Sequence, residues 1–196
     1  MGEALMETLA QTLGPEKFSP EIEREWNIVY EALASNMIHA MNIENKVLAS
    51  WNKLKAVENY EEVAGGLLFQ EMFRTCPETK MLFGFPLDLD VESNVILESR
   101  RFKTHAKYFI DMIDRTMGMV KAKQVEEHMK ELGDIHSEFG VKDEYFPIMG
   151  SALLHTLKIV LKDDFNDETK LAWEDVYGRL SSRMISAIKA SRSSKS

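Results

Sequence analysis

Apolar residues recur at steps of three and four along almost all of this 196-residue chain, and this spacing restricts the folds open to it. Such steps place side chains on one face of an α-helix. The glycines and prolines fall mostly between the periodic segments, and no strand-like alternation lasts more than a few residues. The pattern therefore predicts an all-α fold.

The breaks between periodic segments predict the helix boundaries. Ser19 precedes Pro20, a cap residue followed by proline in the first turn, so a helix is expected to start there. Another should stop before Pro77, because the residue before proline avoids helical geometry. The predicted helices span residues 20–41, 44–57, 60–75, 95–117, 122–137, 143–162 and 167–190. We expect an N-terminal extension with one amphipathic helix over 1–43, a main domain over 44–190 and a disordered tail over 191–196.

Composition narrows the function classes. Hydrophobic residues make up 44% of the chain, enough for one sizeable core. The formal net charge of -8 disfavours nucleic acid as a partner. No apolar run reaches the roughly 18 residues that a membrane span requires. The single cysteine, Cys76, excludes an internal disulfide and a cysteine-rich zinc site, and we expect a cytoplasmic protein.

Two histidines lie on the apolar stripes of two different predicted helices. His105 shares a stripe with Phe102 and Phe109, and His136 shares one with Val125 and Met129. Two inward imidazoles suggest a metal between them that takes nitrogen ligands. The alternative is that each histidine is a core residue with one hydrogen bond, which is the interpretation for the three other histidines: His39, His128 and His155.

The predicted faces also give the space between the two histidines a wide, flat and aromatic lining. Such a lining suits a planar apolar cofactor. Structural zinc fits less well, because it needs four nitrogen or sulfur ligands. The phenylalanines taken alone would be ordinary core residues of a helical protein. The expected lining consists of Phe69, Phe83, Phe109, Ile113, Leu132, Val141 and Phe146.

Several blocks of the chain, in the right order over about residues 44–188, carry a family resemblance. Phe83 precedes His105 by 22 positions, the separation that the resemblance requires. The chain resembles the globin family, and within it the neuroglobin-like six-coordinate globins. The blocks are Leu67–Phe73 with Pro77, Met81–Phe83, Glu131–Val141 and Ala172–Gly178, with Trp51 in the first helix.

The resemblance implies a globin fold, a three-over-three helical sandwich around haem, here with an extra N-terminal helix. It also implies haem b (iron protoporphyrin IX) as the cofactor, with His136 as the proximal and His105 as the distal ligand of the iron. Both histidines would bind the iron at rest, as in six-coordinate globins. The remaining cofactor-binding residues would be Phe69, Phe83, Phe109, Leu132, Val141 and Phe146.

The function implied by the resemblance is reversible binding of O2, CO or NO after the distal histidine leaves the iron, with oxygen transport as one use. Electron transfer and redox or gas sensing remain alternatives, as do nitric oxide dioxygenase and nitrite reductase activities. The expected partners are the diatomic gas and an unidentified reductase or electron-transfer protein. The chain could be a monomer or a homodimer.

Several positions depart from the neuroglobin pattern. Phe85 and Tyr108 stand where a tyrosine and a lysine serve the haem propionates. A cation from Arg101, Lys103 or Lys107 is expected to replace them. Phe109 takes the place of a smaller aliphatic residue on the distal side, where it should crowd a ligand or hold His105 against the iron.

The N-terminal extension carries too much apolar surface to remain in water. Its predicted stripe includes Trp26, Tyr30 and Leu33. We expect this helix to pack on the main domain or on a second copy of the chain.

Overall fold

The computed structural model describes residues 2–118 and 122–195, except for the side chains of residues 118, 122–125 and 195. The side chain of Val125, assigned above to the stripe of His136, therefore lies outside the described residues. Within these ranges the chain forms helices and no strands, which confirms the predicted all-α class. The α-helices are α1 (Gly2–Leu13), α2 (Pro20–Lys55), α3 (Tyr60–Thr75), α4 (Asn94–Leu97), α5 (Arg100–Gly118), α6 (Ala122–Glu138), α7 (Tyr145–Leu161) and α8 (Asp167–Lys195).

Two 3-10 helices connect longer elements, Pro77–Phe83 after α3 and Lys162–Asp164 after α7. None of the helices in the described part of the chain is both long and apolar enough to span a membrane. The chain divides into two units, Met1–Asn45 and Lys46–Ser196.

In the C-terminal unit, α3 packs against both α5 and α7, and α8 packs against both α6 and α7. A helix can bury its apolar stripe only against another element, so these pairings bring the stripes of α5 and α6 into one core. Glycines allow two of the crossings to be close. A Cβ on Gly65 of α3 would lie 2.8 Å from the carbonyl oxygen of Ala106 in α5, and one on Gly133 of α6 would lie 2.5 Å from the Cβ of Ala187 in α8.

A pair of tryptophans anchors the start of this unit. The rings of Trp51 and Trp173 are fully buried with their centres 5.7 Å apart. Each indole N–H finds an acceptor, as a buried tryptophan requires. Trp173 Nε1 donates to Ser50 Oγ at 2.9 Å, and Trp51 Nε1 donates to Asp114 Oδ1 at 2.9 Å, which ties the end of α2 to α5.

In the N-terminal unit, α1 runs back along the first part of α2. Gly2 lies against the ring of Tyr30, where a Cβ would approach the ring to 2.6 Å. Gly14, with φ +74°, ends α1, and Met6 and Phe18 are buried. The sequence predicted one helix in the extension, but α1 was not predicted.

Three predicted boundaries were wrong. The helices expected over 20–41 and 44–57 form one helix, α2, because no glycine or proline interrupts the residues between them. The helix expected over 95–117 is divided into α4 and α5. Two serines explain the division, since Ser93 Oγ accepts from Val95 N at 3.2 Å and Ser99 Oγ accepts from Phe102 N at 3.4 Å. Finally, α8 continues to Lys195, so residues 191–195 are helical and not a disordered tail.

Candidate functional site

A cavity, partly open to solvent, lies among α3, α5, α6, α7 and α8. Its walls are mostly apolar, and the polar side chains in them belong to two histidines, three tyrosines and a serine. The structure places all the residues expected at the site in this lining: Phe69, Phe83, His105, Phe109, Ile113, Leu132, His136, Val141 and Phe146.

The two histidines meet across the cavity. His105 comes from α5 and His136 from α6, and their ring centres are 6.3 Å apart with the ring planes inclined by 58°. His136 Nδ1 lies 2.7 Å from the backbone carbonyl oxygen of Leu132, one turn earlier. Because a carbonyl oxygen can only accept, Nδ1 carries the proton and donates it. The other nitrogen, Nε2, keeps its lone pair free for a metal.

His105 is also held in a form that can bind a metal. Burial, together with the neighbouring charges of His136 and Arg101, lowers the pKa of His105 to about 4. The imidazole is therefore neutral near pH 7, as a ligand must be. Phe69 and Phe83 pack around it with near-perpendicular rings, their centres 5.2 and 5.3 Å from that of the imidazole. These contacts limit the orientations of the ring.

The separation of the two rings allows a test of whether a metal fits between them. An imidazole nitrogen lies about 2.0–2.1 Å from a metal it binds, so two imidazoles on opposite sides of one ion have centres roughly 6–6.5 Å apart. The observed 6.3 Å falls within this range. The part of the chain that the structure describes contains no group of three or more His, Cys, Asp and Glu side chains able to hold a metal. Two facing imidazoles in an apolar cavity thus fit a metal carried by an apolar cofactor.

The phenylalanines divide into those at the cavity and those behind it. Phe109 lines the cavity and meets Phe69 at 5.9 Å in an edge-to-face contact. Phe85 stacks on Phe83, with centres 6.4 Å apart and planes 3° from parallel. Phe85 also contacts Phe73 and is not part of the lining. Its role is therefore to support Phe83 from behind.

The three cations expected near the propionates differ in their surroundings. Lys103 forms ion pairs with Glu98 at 2.8 Å and with Glu62 at 3.7 Å. Lys107 forms an ion pair with Glu61. Arg101 is the one of the three whose charge reaches His105, where it lowers the pKa of the imidazole. Arg101 is therefore the best placed of the three to meet an anionic edge of a cofactor, although none of them lines the cavity.

Sequence reasoning missed the wall that α8 contributes. Tyr177 lines the cavity, and its hydroxyl donates to the backbone carbonyl of Phe146 at 2.8 Å. Gly150 leaves room for this ring, because a Cβ at that position would lie 2.7 Å from a ring carbon of Tyr177. Two signals in the sequence could have indicated this wall. One is the glycine inside the apolar helix α7, and the other is the spacing of three and four between apolar residues along α8. The lining residues of α8 are Tyr177, Leu180, Ser181 and Met184.

Methionines form a second group that was not predicted. Unbranched thioether side chains adapt to irregular shapes, which suits the lining of a ligand cavity. The remaining histidines, His39, His128 and His155, do not line the cavity. The methionines in the lining are Met72, Met112, Met129, Met149 and Met184.

The fold and the paired histidines define an all-α protein with a cofactor cavity between α5 and α6. The family model described as Globin matches residues 66–184. The chain belongs to the globin family, and it is therefore a haem-binding protein.

Comparison with curated proteins shows similarity to plant globins. The chain is 36% identical over 151 residues to an anaerobic nitrite reductase of Gossypium hirsutum, and the match covers 74% of this chain and 86% of that protein. It is 34% identical over 151 residues to an anaerobic nitrite reductase of Casuarina glauca, with 74% of this chain and 88% of the relative covered. It is 31% identical over 128 residues to a second anaerobic nitrite reductase of the same plant, with 63% and 79% of the two chains covered. The particular likeness to neuroglobin stays a prediction.

Proposed function

We propose that this globin holds haem b with both histidines bound to the iron at rest, and that it binds O2, CO or NO when His105 leaves. His136 is the permanent ligand and His105 the displaceable one. The observation that carries this proposal is the 6.3 Å between the two ring centres across an apolar cavity. That distance suits one ion bound by both rings without a movement of α5 or α6.

The two histidines differ in how they are held. The hydrogen bond from His136 Nδ1 to Leu132 fixes the ring orientation and leaves Nε2 as the ligand atom. His105 is held by ring packing from Phe69 and Phe83, which a rotation of its side chain can break. Bound haem would supply an iron that takes a diatomic ligand. Once displaced, the N–H of His105 can donate a hydrogen bond to a polar ligand such as O2.

Absorption spectra of the haem-reconstituted full chain test this proposal. The ferrous protein should show sharp low-spin bands, and CO should replace them. His105→Leu should give a five-coordinate ferrous spectrum with haem still bound, whereas His136→Leu should retain haem poorly. His155→Leu is the matched control, because His155 lies on α7 outside the cavity. A wild-type ferrous spectrum that is already five-coordinate would contradict the proposal for His105.

Nitrite reduction is a second candidate, favoured by the names of the plant relatives. Reduction of nitrite to NO and water takes up one electron and two protons, and bound haem would supply the electron. The contribution of the chain would be to move His105 away, and this departure would limit the rate. We also propose that the protein is cytoplasmic. A reductase of that compartment would have to return the electron to the protein after each reaction.

Nitric oxide release under anaerobic conditions tests the second candidate. The ferrous protein mixed with nitrite should release NO in proportion to the haem that is oxidised. His105→Leu should react faster, because its sixth position is open. If the His105→Leu protein reacts no faster than wild type, the histidine does not gate nitrite. If neither protein forms NO, nitrite reduction is excluded and gas binding stands on the spectra alone.

A further inference from the structure

The apolar surface of α2 in the N-terminal unit has no use in the proposed haem chemistry. Six apolar side chains follow one another along this helix at steps of three and four. Their exposed fractions range from 41% to 66%, high for large apolar groups. We call this set the α2 stripe: Ile22, Trp26, Val29, Leu33, Met37 and Met41.

Helix α1 covers only the beginning of α2. Its first residue, Gly2, already lies level with Tyr30, so α1 does not extend past that position. Exposure changes accordingly along the α2 stripe. Trp26 and Val29 are 45% and 50% exposed, whereas Leu33 and Met37, beyond the end of α1, are 58% and 66% exposed. An apolar surface of this length favours coverage by another helix.

The charges along α2 are segregated. Three glutamates and one arginine, Glu21, Glu23, Arg24 and Glu25, give its first turns a net charge of -2, whereas residues 32–43 include no Asp, Glu, Lys or Arg. The acidic first turns disfavour an anionic membrane as the occupant. In a parallel pair of two α2 helices, each of these carboxylates would face its own copy. In an antiparallel pair the carboxylates would face the uncharged segment of the partner helix. The two helix dipoles would also point in opposite directions, which is the favourable arrangement.

The spacing of the α2 stripe fits antiparallel self-pairing. About a twofold axis between residues 31 and 32, Ile22 meets Met41 of the second copy, Trp26 meets Met37, and Val29 lies beside Leu33. The spacing of the α2 stripe is thus nearly symmetric about this axis, as a surface that binds its own copy about a twofold axis requires. Glu31, near the axis, lies about 140° around the helix from Trp26 at 3.6 residues per turn, so it points away from the contact.

We propose that the occupant of the α2 stripe is the same stripe of a second copy, paired antiparallel about a twofold axis. The stripe is about 30 Å long and about 10 Å wide. Its area is therefore well below the roughly 800 Å² per partner of a standard stable interface. The dimer is accordingly reversible and depends on protein concentration.

Sedimentation of the full haem-loaded chain over a wide concentration range tests the pairing. The mass should rise from 22.5 kDa towards twice that value. Leu33→Asp combined with Met37→Asp should stay monomeric at every concentration. Leu171→Asp is the matched control, because Leu171 is 64% exposed but lies on α8, and this variant should dimerise as wild type does. A wild-type monomer throughout, or a dimer that survives the double substitution, overturns the proposal.

Cysteine cross-linking in a Cys76→Ser background tests the direction of pairing. Leu33→Cys lies close to the proposed axis, so its two copies should form a disulfide on mild oxidation. Ile22→Cys should not, because its two copies would lie about 28 Å apart along the helices at 1.5 Å per residue. A mixture of Ile22→Cys and Met41→Cys chains should cross-link. Equal cross-linking of Leu33→Cys and Ile22→Cys alone would indicate parallel pairing and overturn the proposal.

Discussion

Two adjacent glycines of α3 offer a sharp test of how this fold positions its site. A Cβ on Gly65 would lie 2.8 Å from the backbone carbonyl oxygen of Ala106, whereas a Cβ on Gly66 would meet nothing within 4 Å. Ala106 is the neighbour of His105 on α5. Alanine at Gly65 therefore pushes on the backbone that carries the distal histidine, and alanine at Gly66 does not.

The expected magnitudes follow from the two environments. In a helix, Gly→Ala stabilises by about 1 kcal/mol, because alanine loses less backbone entropy on folding. Ordinary contact begins near 3.4 Å, so Gly65→Ala requires a shift of about 0.6 Å between α3 and α5. Overpacking of this kind costs about 1–3 kcal/mol. Gly66→Ala should therefore be more stable than wild type, and Gly65→Ala should be less stable than Gly66→Ala by about 1–3 kcal/mol.

Urea unfolding followed by helical circular dichroism gives both free energies of unfolding. Ferrous absorption spectra give a second readout, since displacement of α5 should weaken the low-spin bands of Gly65→Ala and leave those of Gly66→Ala unchanged. Equal stability of the two variants would refute the close crossing of α3 and α5. A less stable Gly65→Ala with unchanged bands would instead show that His105 is insulated from this crossing.

Two further substitutions probe polar groups that hold the chain around the site. Lys80 is buried and its Nζ donates to the carbonyls of Leu87 and Leu89 at 2.9 and 2.6 Å, so Lys80→Met should lower the free energy of unfolding by about 1–3 kcal/mol. Lys103→Met, at a partly exposed lysine, is its control, and an equal loss of stability in both variants would contradict the role of Lys80. Hydrogen bonds from Lys55 and Trp51 lower the pKa of Asp114, so the wild type should exceed Asp114→Asn in stability above the usual Asp pKa of about 3.9. That advantage should disappear as the pH falls through the lower pKa of the folded state. Unfolding curves at pH 7 and pH 3 measure it, and an equal difference between wild type and Asp114→Asn at both pH values would contradict the prediction.

Helix positions in the C-terminal unit could be predicted where the breaking signal is local. The proline after Cys76 ends α3 at Thr75, where the sequence predicted it. Boundaries set by serine caps were missed, because serine also occurs inside helices and only its hydrogen bond shows that it is a cap. The uninterrupted course of α2 was missed for the opposite reason, since the segment around residue 42 contains no strong helix breaker.

The residue types of the site were predictable, because three-and-four spacing shows which side chains share a face. That spacing alone singled out His105 and His136 and much of the aromatic lining. Only the tertiary structure decided that the two rings lie 6.3 Å apart, that Leu132 selects the proton position on His136, and that α8 closes the cavity with Tyr177. Periodicity describes one helix at a time, whereas these features depend on the register between helices. That register is set by contacts between residues distant in sequence, such as Gly65 with Ala106.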